Sequence, residues 1–396
     1  MARQIVLTAN YSPWSRYSGG GQRSTHQLAS ALARRGNSVT VVYTKSPLEK
    51  IKLPEDLPYS VRFASFFDVH SHRRSLLRPL NALTVARAVA DITDGKRDVV
   101  VHSQGEEGAL IPRLKARRSL RFVVTPRYPS YPEALLSGDV SLRCKAALLA
   151  FDTKYIVLGG ALRKADVCCP TSRSSLNDIH RAFGVSSGKC RVVPNGVAPC
   201  FLDVTRRKNA HGGPLLFFGR LAPSKGAMTL IEAIALLGEE APSVVVIGRG
   251  PELPVLKTQA QTLGLSRRIV FEGWKTGQEI AGRLAESSMA VLPSREESFG
   301  NAMVEAMAAG TPLITTRVGS IPEVVNEGRT GILVPQDDPR ALANAIRTLL
   351  RNRSLAETLG KNGREHVMQR FSWAATAARY EAIYDDALRE GGPCES

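Results

Sequence analysis

No stretch of this chain approaches the roughly 20 consecutive apolar residues that cross a bilayer, so no spanning helix is expected. The opening M-A-R-Q-I-V-L-T-A-N has too short an apolar run for a secretory leader and reads as a first strand, which makes the cytosol the expected location. Six cysteines (Cys144, Cys168, Cys169, Cys190, Cys200, Cys394) form no C-x-x-C pair and no Cys/His cluster at zinc spacing. They are expected to be reduced thiols packed as small apolar residues. No G-x-G-x-x-G follows the first strand, and no acidic residue ends the second in the place a dinucleotide fingerprint requires. Aromatics make up only 6% and do not interleave with the basic clusters, so nucleic acid is not an expected partner.

Positive charge is abundant and uneven. The net charge is +17, and residues 1–198 hold 30 Lys+Arg against 14 Asp+Glu, whereas the remainder holds 23 against 22. Such asymmetry concerns partners rather than fold. An acidic surface or substrate is expected to meet the N-terminal half. Two stretches concentrate the charge: 72–90, where arginines alternate with leucine, valine and alanine, and 113–121. The first reads as a surface helix begun or kinked by Pro79, of the kind that also lies on anionic membranes.

With 396 residues, two domains are expected, each able to bury its own core. The first half opens strand (2–9), glycine run (Gly19, Gly20, Gly21), helix to Gly36, strand (38–43), a parallel α/β start. Further strands are expected at 98–102, 121–125, 165–170 and 190–193, a long helix over 142–164, and a helix capped by Thr171. Parallel strands present their carboxyl ends to ligands, which turns His102 at the end of D-V-V-V-H toward a site. The first domain is assigned 1–198 and the second 199–371, with the polar stretch 203–213 joining them. The second half repeats the strand–helix alternation, with strands at 214–219, 243–248, 268–272, 290–293, 312–316 and 331–334. A last helix occupies 372–396.

The most informative stretch is 295–312, R-E-E-S-F-G-N-A-M-V-E-A-M-A-A-G-T-P. The preceding A-V-L-P reads as a buried strand. Ala302, Met303, Ala306 and Met307 recur at helical spacing, and Gly310 and Pro312 stop that helix. Glu297 then lies in the loop and Glu305 in the second helical turn. The backbone of Ser298, Phe299, Gly300 and Asn301 forms the helix N-terminus, which favours anions.

E-S-F-G before an alanine-rich E-A-M-A-x-G-x-P segment closely resembles the signature of the retaining family 4 glycosyltransferases. G-R-L-x-x-x-K-G (Arg220, Lys225), the turn Gly248-x-Gly250-Pro251 and the pair Gly273-Trp274 match further motifs of that family, in order. The resemblance implies an α/β fold of two Rossmann-like parallel-sheet domains facing a cleft (GT-B), with the last helix crossing back to the first domain. It implies that Glu297 approaches the sugar of a nucleotide-sugar donor and Glu305 holds the ribose. Arg220 and Lys225 would clamp the diphosphate, the 248–251 turn and Gly273-Trp274 would meet the nucleotide, and Gly20 and Gly21 would lie near phosphates and acceptor. No Asp-x-Asp pair stands in a strand context, and Asp337-Asp338 read as helix caps. The expected route therefore uses protein cations, with no metal and no cofactor.

One residue departs from the family pattern. Where the family has a histidine facing the sugar's 6-position, two residues beyond Thr125, this chain has Arg127. Arg127 is expected to pair with a carboxylate, on C6 of a uronic acid donor or on an acidic acceptor. The expected activity is retaining transfer from a UDP- or GDP-sugar to a lipid-linked or glycan acceptor in envelope or exopolysaccharide synthesis, with the basic half against an anionic membrane surface. The alternatives are a hydrolysing nucleotide-sugar epimerase, a soluble glucan or disaccharide synthase, or a non-catalytic partner subunit.

Overall fold

The computed structural model describes residues 2–15, 18–66, 77–115, 118–127 and 153–390. The start of the basic stretch (72–76), the first part of the long helix (142–152), and Cys144 and Cys394 lie outside the described residues. The chain forms two compact units, Met1–Gly196 with Trp373–Ser396, and Val197–Ser372. Each holds a six-stranded sheet whose strands all pair in parallel.

In the first unit the strands are β1 (Gln4–Ala9), β2 (Ser38–Lys45), β3 (Ser60–Ser65), β4 (Val99–Ser103), β5 (Leu120–Val124) and β6 (Val167–Cys168), in the order β3-β2-β1-β4-β5-β6. Its helices are α1 (Gly20–Arg34), α2 (Arg78–Thr93), α3 (Thr153–Lys164) and α4 (Arg173–Phe183). Strand side chains alternate between two apolar cores, because successive residues of a strand point to opposite faces. Ile5, Leu7 and Ala9 face one core together with Leu28 of α1. Val6, Val99, Val101 and Phe122 face the other, with Val85 of α2 and Leu158 of α3. The apolar, β-branched runs of β1, β4 and β5 are those of strands covered on both faces.

The second unit repeats the plan with β7 (Leu215–Phe218), β8 (Val244–Ile247), β9 (Ile269–Gly273), β10 (Met289–Leu292), β11 (Leu313–Thr316) and β12 (Ile332–Val334), in the order β12-β11-β10-β7-β8-β9. Its helices are α5 (Ala227–Leu237), α6 (Leu253–Thr262), α7 (Gly277–Glu286), α8 (Asn301–Ala308), α9 (Pro339–Arg351) and α10 (Arg353–Arg370), and α11 (Trp373–Arg389) returns to the first unit. There it packs against α1. Arg3 forks onto Asp385 with two bonds of 2.7 Å, and Arg35 and Asn37 both bind the Glu381 carboxylate.

Several local expectations are corrected. β3 had no counterpart in the sequence reading, because S-V-R-F-A-S is a half-exposed edge strand with little apolar content. Residues 190–193 form no strand; Cys190 makes one isolated bridge with Cys168. The cap of α4 is Ser172, whose hydroxyl accepts from Ser175 N at 3.0 Å, one residue beyond Thr171. Gly20 and Gly21 are the first turn of α1 rather than a loop. The stretch 203–213 is packed on the second unit: Arg206 donates to the carbonyls of Leu284 (3.0 Å) and Ser287 (2.8 Å). Cys168, Cys169 and Cys190 are buried free thiols.

His102 is the largest correction. It is fully buried, and both ring nitrogens are engaged, Nδ1 with the Tyr384 hydroxyl (2.7 Å) and Nε2 with the Thr125 hydroxyl (2.8 Å). Thr125 Oγ1 in turn meets the Tyr380 hydroxyl at 2.9 Å. The histidine therefore anchors α11, with both ring nitrogens taken up by hydroxyls of its own unit. Burial, and secondarily the charge of Arg127, lower its pKa to about 3, so it is neutral. In the unfolded chain the imidazole titrates near 6.5 and binds a proton that the folded state refuses. Its contribution to stability is complete above that pH and declines as pH falls toward 3. The slope due to this residue reaches about 1.4 kcal/mol per pH unit. Urea denaturation at pH 7 and pH 5 should show a clear loss for the wild type and a smaller one for His102→Gln; equal losses would refute the assignment.

Candidate active site

In the second unit the strand order reverses beside β7. The chain proceeds outward to β8 and β9, then returns to lay β10, β11 and β12 on the other side. Loops leaving the carboxyl ends of β7 and β10 diverge at this point, which is where open parallel sheets take ligands. Arg220 and Lys225 follow β7, Glu297 and Glu305 follow β10, Gly248 to Pro251 follow β8, and Gly273 and Trp274 end β9. The structure thus sets all four motifs on one edge.

Close backbone approach holds these loops together. Gly248 adopts φ +149°, and a Cβ there would lie 1.8 Å from the Gly219 carbonyl oxygen. A Cβ on Gly250 would lie 2.0 Å from Leu221 O. Leu221 N donates to Arg249 O at 2.9 Å, and Gly248 N to Gly273 O at 2.7 Å. The loops after β7, β8 and β9 are therefore tied side by side. Across the reversal point, Arg295 N donates to Ser224 O at 2.8 Å.

The Lys225 ammonium lies 2.5 Å from Glu297 Oε1, and the Ser294 hydroxyl donates to the same oxygen at 3.0 Å. The Glu297 carbonyl accepts from Ser320 N and Ser320 Oγ, both at 3.2 Å. Its side chain is fixed and its backbone pinned by a loop that the sequence did not single out. Arg220 is exposed and makes no ion pair among the described residues. Helix α8 begins at Asn301 after Gly300, which takes φ +87° and has no capping side chain. Glu305 is half-buried on α8. The Phe299 ring is 3% exposed and packs edge-on against Phe371 at 5.7 Å, and the expected contact there is with its backbone. Ser298 and Asn301 are half-buried, Pro251 is exposed, and Trp274 offers a half-exposed indole.

The first unit has its own reversal point, between β1 and β4. Here Gly19 N donates to Gln22 Oε1 (3.0 Å), which closes the start of α1, and Gln22 Nε2 donates to Asn10 O (2.7 Å). Arg127 lies beside Gly21: a Cβ on Gly21 would sit 3.6 Å from Arg127 Cδ. The sequence reading missed two neighbours, Glu106 and Glu107, both buried. Glu107 Oε1 accepts from Ser103 Oγ (2.8 Å), Gln104 N (2.9 Å) and Thr8 Oγ1 (3.1 Å). Burial and the adjoining Glu106 raise its pKa well above the usual carboxylate range. Glu106 pairs with Arg78 at 2.5 Å. The signal was available: S-Q-G-E-E-G follows a strand end directly.

Two mononucleotide-type parallel units, each with polar residues gathered at the carboxyl edge of its sheet, define the two-domain glycosyltransferase class called GT-B. Residues 206–366 match the model for "Glycosyl transferases group 1", and residues 18–199 that for "Glycosyltransferase Family 4". N-acetyl-α-D-glucosaminyl L-malate synthase of Bacillus anthracis is 30% identical over 375 residues, 92% of this chain and 93% of that protein. D-inositol 3-phosphate glycosyltransferase of Corynebacterium glutamicum is 33% identical over 243 residues, 57% of this chain and 58% of its own length. Among solved structures, sucrose-phosphate synthase of Thermosynechococcus elongatus superposes with a TM-score of 0.81, covering 98% of this chain and all of that one at 24% identity. An Anabaena protein in complex with UDP and glucose superposes with a TM-score of 0.75, at 21% identity, over 97% of this chain and 99% of its own. The chain belongs to glycosyltransferase family 4.

Alanine at Gly248 would drive a Cβ into the Gly219 carbonyl. Alanine at Gly264, with φ +70° and nothing within 4 Å, carries backbone strain alone. Gly264→Ala should cost about 1 kcal/mol and Gly248→Ala more than about 2 kcal/mol, by urea denaturation. Equal costs would show that the loops do not depend on this close approach.

Proposed function

We propose that the chain transfers a sugar, with retention at the anomeric carbon and without a metal, from a UDP- or GDP-sugar to an acceptor. The observation that carries this reading is the Lys225–Glu297 ion pair, seated beside Arg220 and the start of α8 at one reversal point. A departing diphosphate carries two to three negative charges. Arg220 supplies a planar fork and Lys225 a point charge, while the α8 N-terminus adds partial positive charge. Lys225 already has an anionic partner, so an incoming phosphate competes for it, and Glu297 is then released toward the sugar. Glu297 would stabilise the positive charge that grows at the anomeric carbon, Glu305 would hold the ribose, and the Trp274 indole would cover the base. No carboxylate is assigned as a covalent nucleophile; the β-phosphate takes the acceptor proton.

A lipid-linked acceptor at an anionic membrane is the acceptor reading we favour, in envelope or exopolysaccharide synthesis. Leu77, Leu80 and Leu83 are exposed at 44%, 40% and 36% along the start of α2, at helical spacing, next to Arg78 and Arg87. On the other edge of the same sheet a depression of about 670 Å³ is bordered by Arg113, Arg121, Arg163, Lys164 and Lys189. Exposed leucines flanked by arginine suit an anionic bilayer. A soluble small-acid acceptor is the second reading, favoured by the near full-length similarity to a malate-glycosylating synthase.

Three measurements test these assignments. UDP or GDP, without metal, should raise the melting temperature of the wild type, and Glu305→Ala should lose that shift. No shift with either nucleotide would overturn the donor site. Glu297→Ala should lower kcat by about a hundredfold with little change in KM, since its contact belongs to the transition state. Binding to anionic vesicles should fall with salt and with Leu77→Ser/Leu80→Ser/Leu83→Ser. Equal binding to neutral vesicles would remove the membrane from the proposal.

A further inference from the structure

Two buried donors at the carboxyl edge of the first sheet lack an acceptor. Arg127 Nε donates to Gln104 Oε1 at 2.6 Å and Nη1 to Asn195 Oδ1 at 3.0 Å, but Nη2 is shut from solvent with no hydrogen bond. Gln104 is 6% exposed, and its Nε2 is likewise unpartnered. Buried polar groups are nearly always satisfied, and exceptions gather where a ligand supplies the missing partner. Both orphans here are N–H donors on adjoining side chains, so what is missing is an acceptor.

The charges point the same way. Among the described residues, the titratable side chains nearest Arg127 are held by other partners, and Glu107 acts on it only at a distance. His102 is bound by Tyr384 and Thr125, Glu106 is paired with Arg78, and Glu107 is bound by Ser103, Thr8 and the Gln104 backbone N–H. No carboxylate forms an ion pair with Arg127 among the described residues. Burial accordingly depresses the guanidinium pKa. A half-buried cation held by two neutral amides, with one buried N–H group unpartnered, is poised for an anion to enter. One fixed positive charge plus one neutral amide matches a monoanion, which favours a carboxylate over a doubly charged phosphate.

We propose that Arg127, positioned by Gln104 and Asn195, binds a carboxylate carried by one of the two substrates, and so selects an acidic sugar donor or an acidic acceptor. The proposal rests on the glycosyl-transfer reading of this edge. Its two sources of carboxylate are separable. In the donor arm, calorimetry compares UDP- and GDP-sugars bearing a C6 carboxylate with those bearing a C6 hydroxyl. In the acceptor arm it compares L-malate with its diamide. Each is run on the wild type, Arg127→Gln and Gln104→Ala.

In one arm the wild type should prefer the carboxylate by about tenfold or more. Arg127→Gln should abolish that preference, and Gln104→Ala should reduce it, while both variants keep the wild-type affinity for UDP or GDP. A preference unchanged in Arg127→Gln overturns the proposal, as does a wild type without preference in either arm. Failure of UDP and GDP to bind any form is a separate result: it removes the donor reading, while the malate comparison still reports on Arg127.

Discussion

Each sheet is laid down from its middle outward, first to one side and then to the other, and this order constrains everything that follows. A strand inserted first must later receive a neighbour on its open side, and at the second junction the loops that follow the two strands are bonded to each other. In the first sheet the junction is β1 with β4; in the second it is β7 with β10. The residues with chemical potential stand at these junctions: Gln104, Glu106 and Glu107 at the first, Arg220, Lys225 and Glu297 at the second. The glycines do the complementary work of bringing backbone close enough for one loop to brace the next.

Electrostatically the two junctions are opposites. At the second, a cation and a carboxylate already satisfy each other, Lys225 with Glu297. At the first junction the carboxylates are bound by hydroxyls and by Arg78, and Arg127 forms no ion pair among the described residues.

The sequence was most legible where period and punctuation agree. β7, β8, β10 and β11 are short, almost wholly apolar, and bounded by glycine or proline, and they appear within a residue or two of where the pattern puts them. The loop and helix expected over 295–312 are there, with α8 at Asn301–Ala308, because local sequence encodes that strand–loop–helix. What stayed hidden was decided by distant partners. His102 sits at a strand end and so reads as a ligand-facing residue, yet Tyr384, 282 positions away, takes one of its nitrogens. Phe299 lies within a binding motif, but Phe371 claims its ring. Glu106 and Glu107 look like ordinary solvated acids until Thr8 and Arg78 are brought to them. β3 escaped because an edge strand has no need of the apolar run that marks a buried one.

The docking of α11 bears on how the chain is made. The first unit contains residues 1–196 and the helix that begins at Trp373, with all of the second unit encoded between them. On the ribosome, the first sheet emerges long before the tyrosines that close over His102 and the carboxylates that meet Arg3 and Arg35. Until then its α1 face lacks Trp373, Ala377, Tyr380 and Tyr384, and part of an apolar core stays open to water. The second unit is continuous and can close as soon as it is synthesised. The half made first is therefore the half finished last, since its core closes only when the C-terminal helix is made.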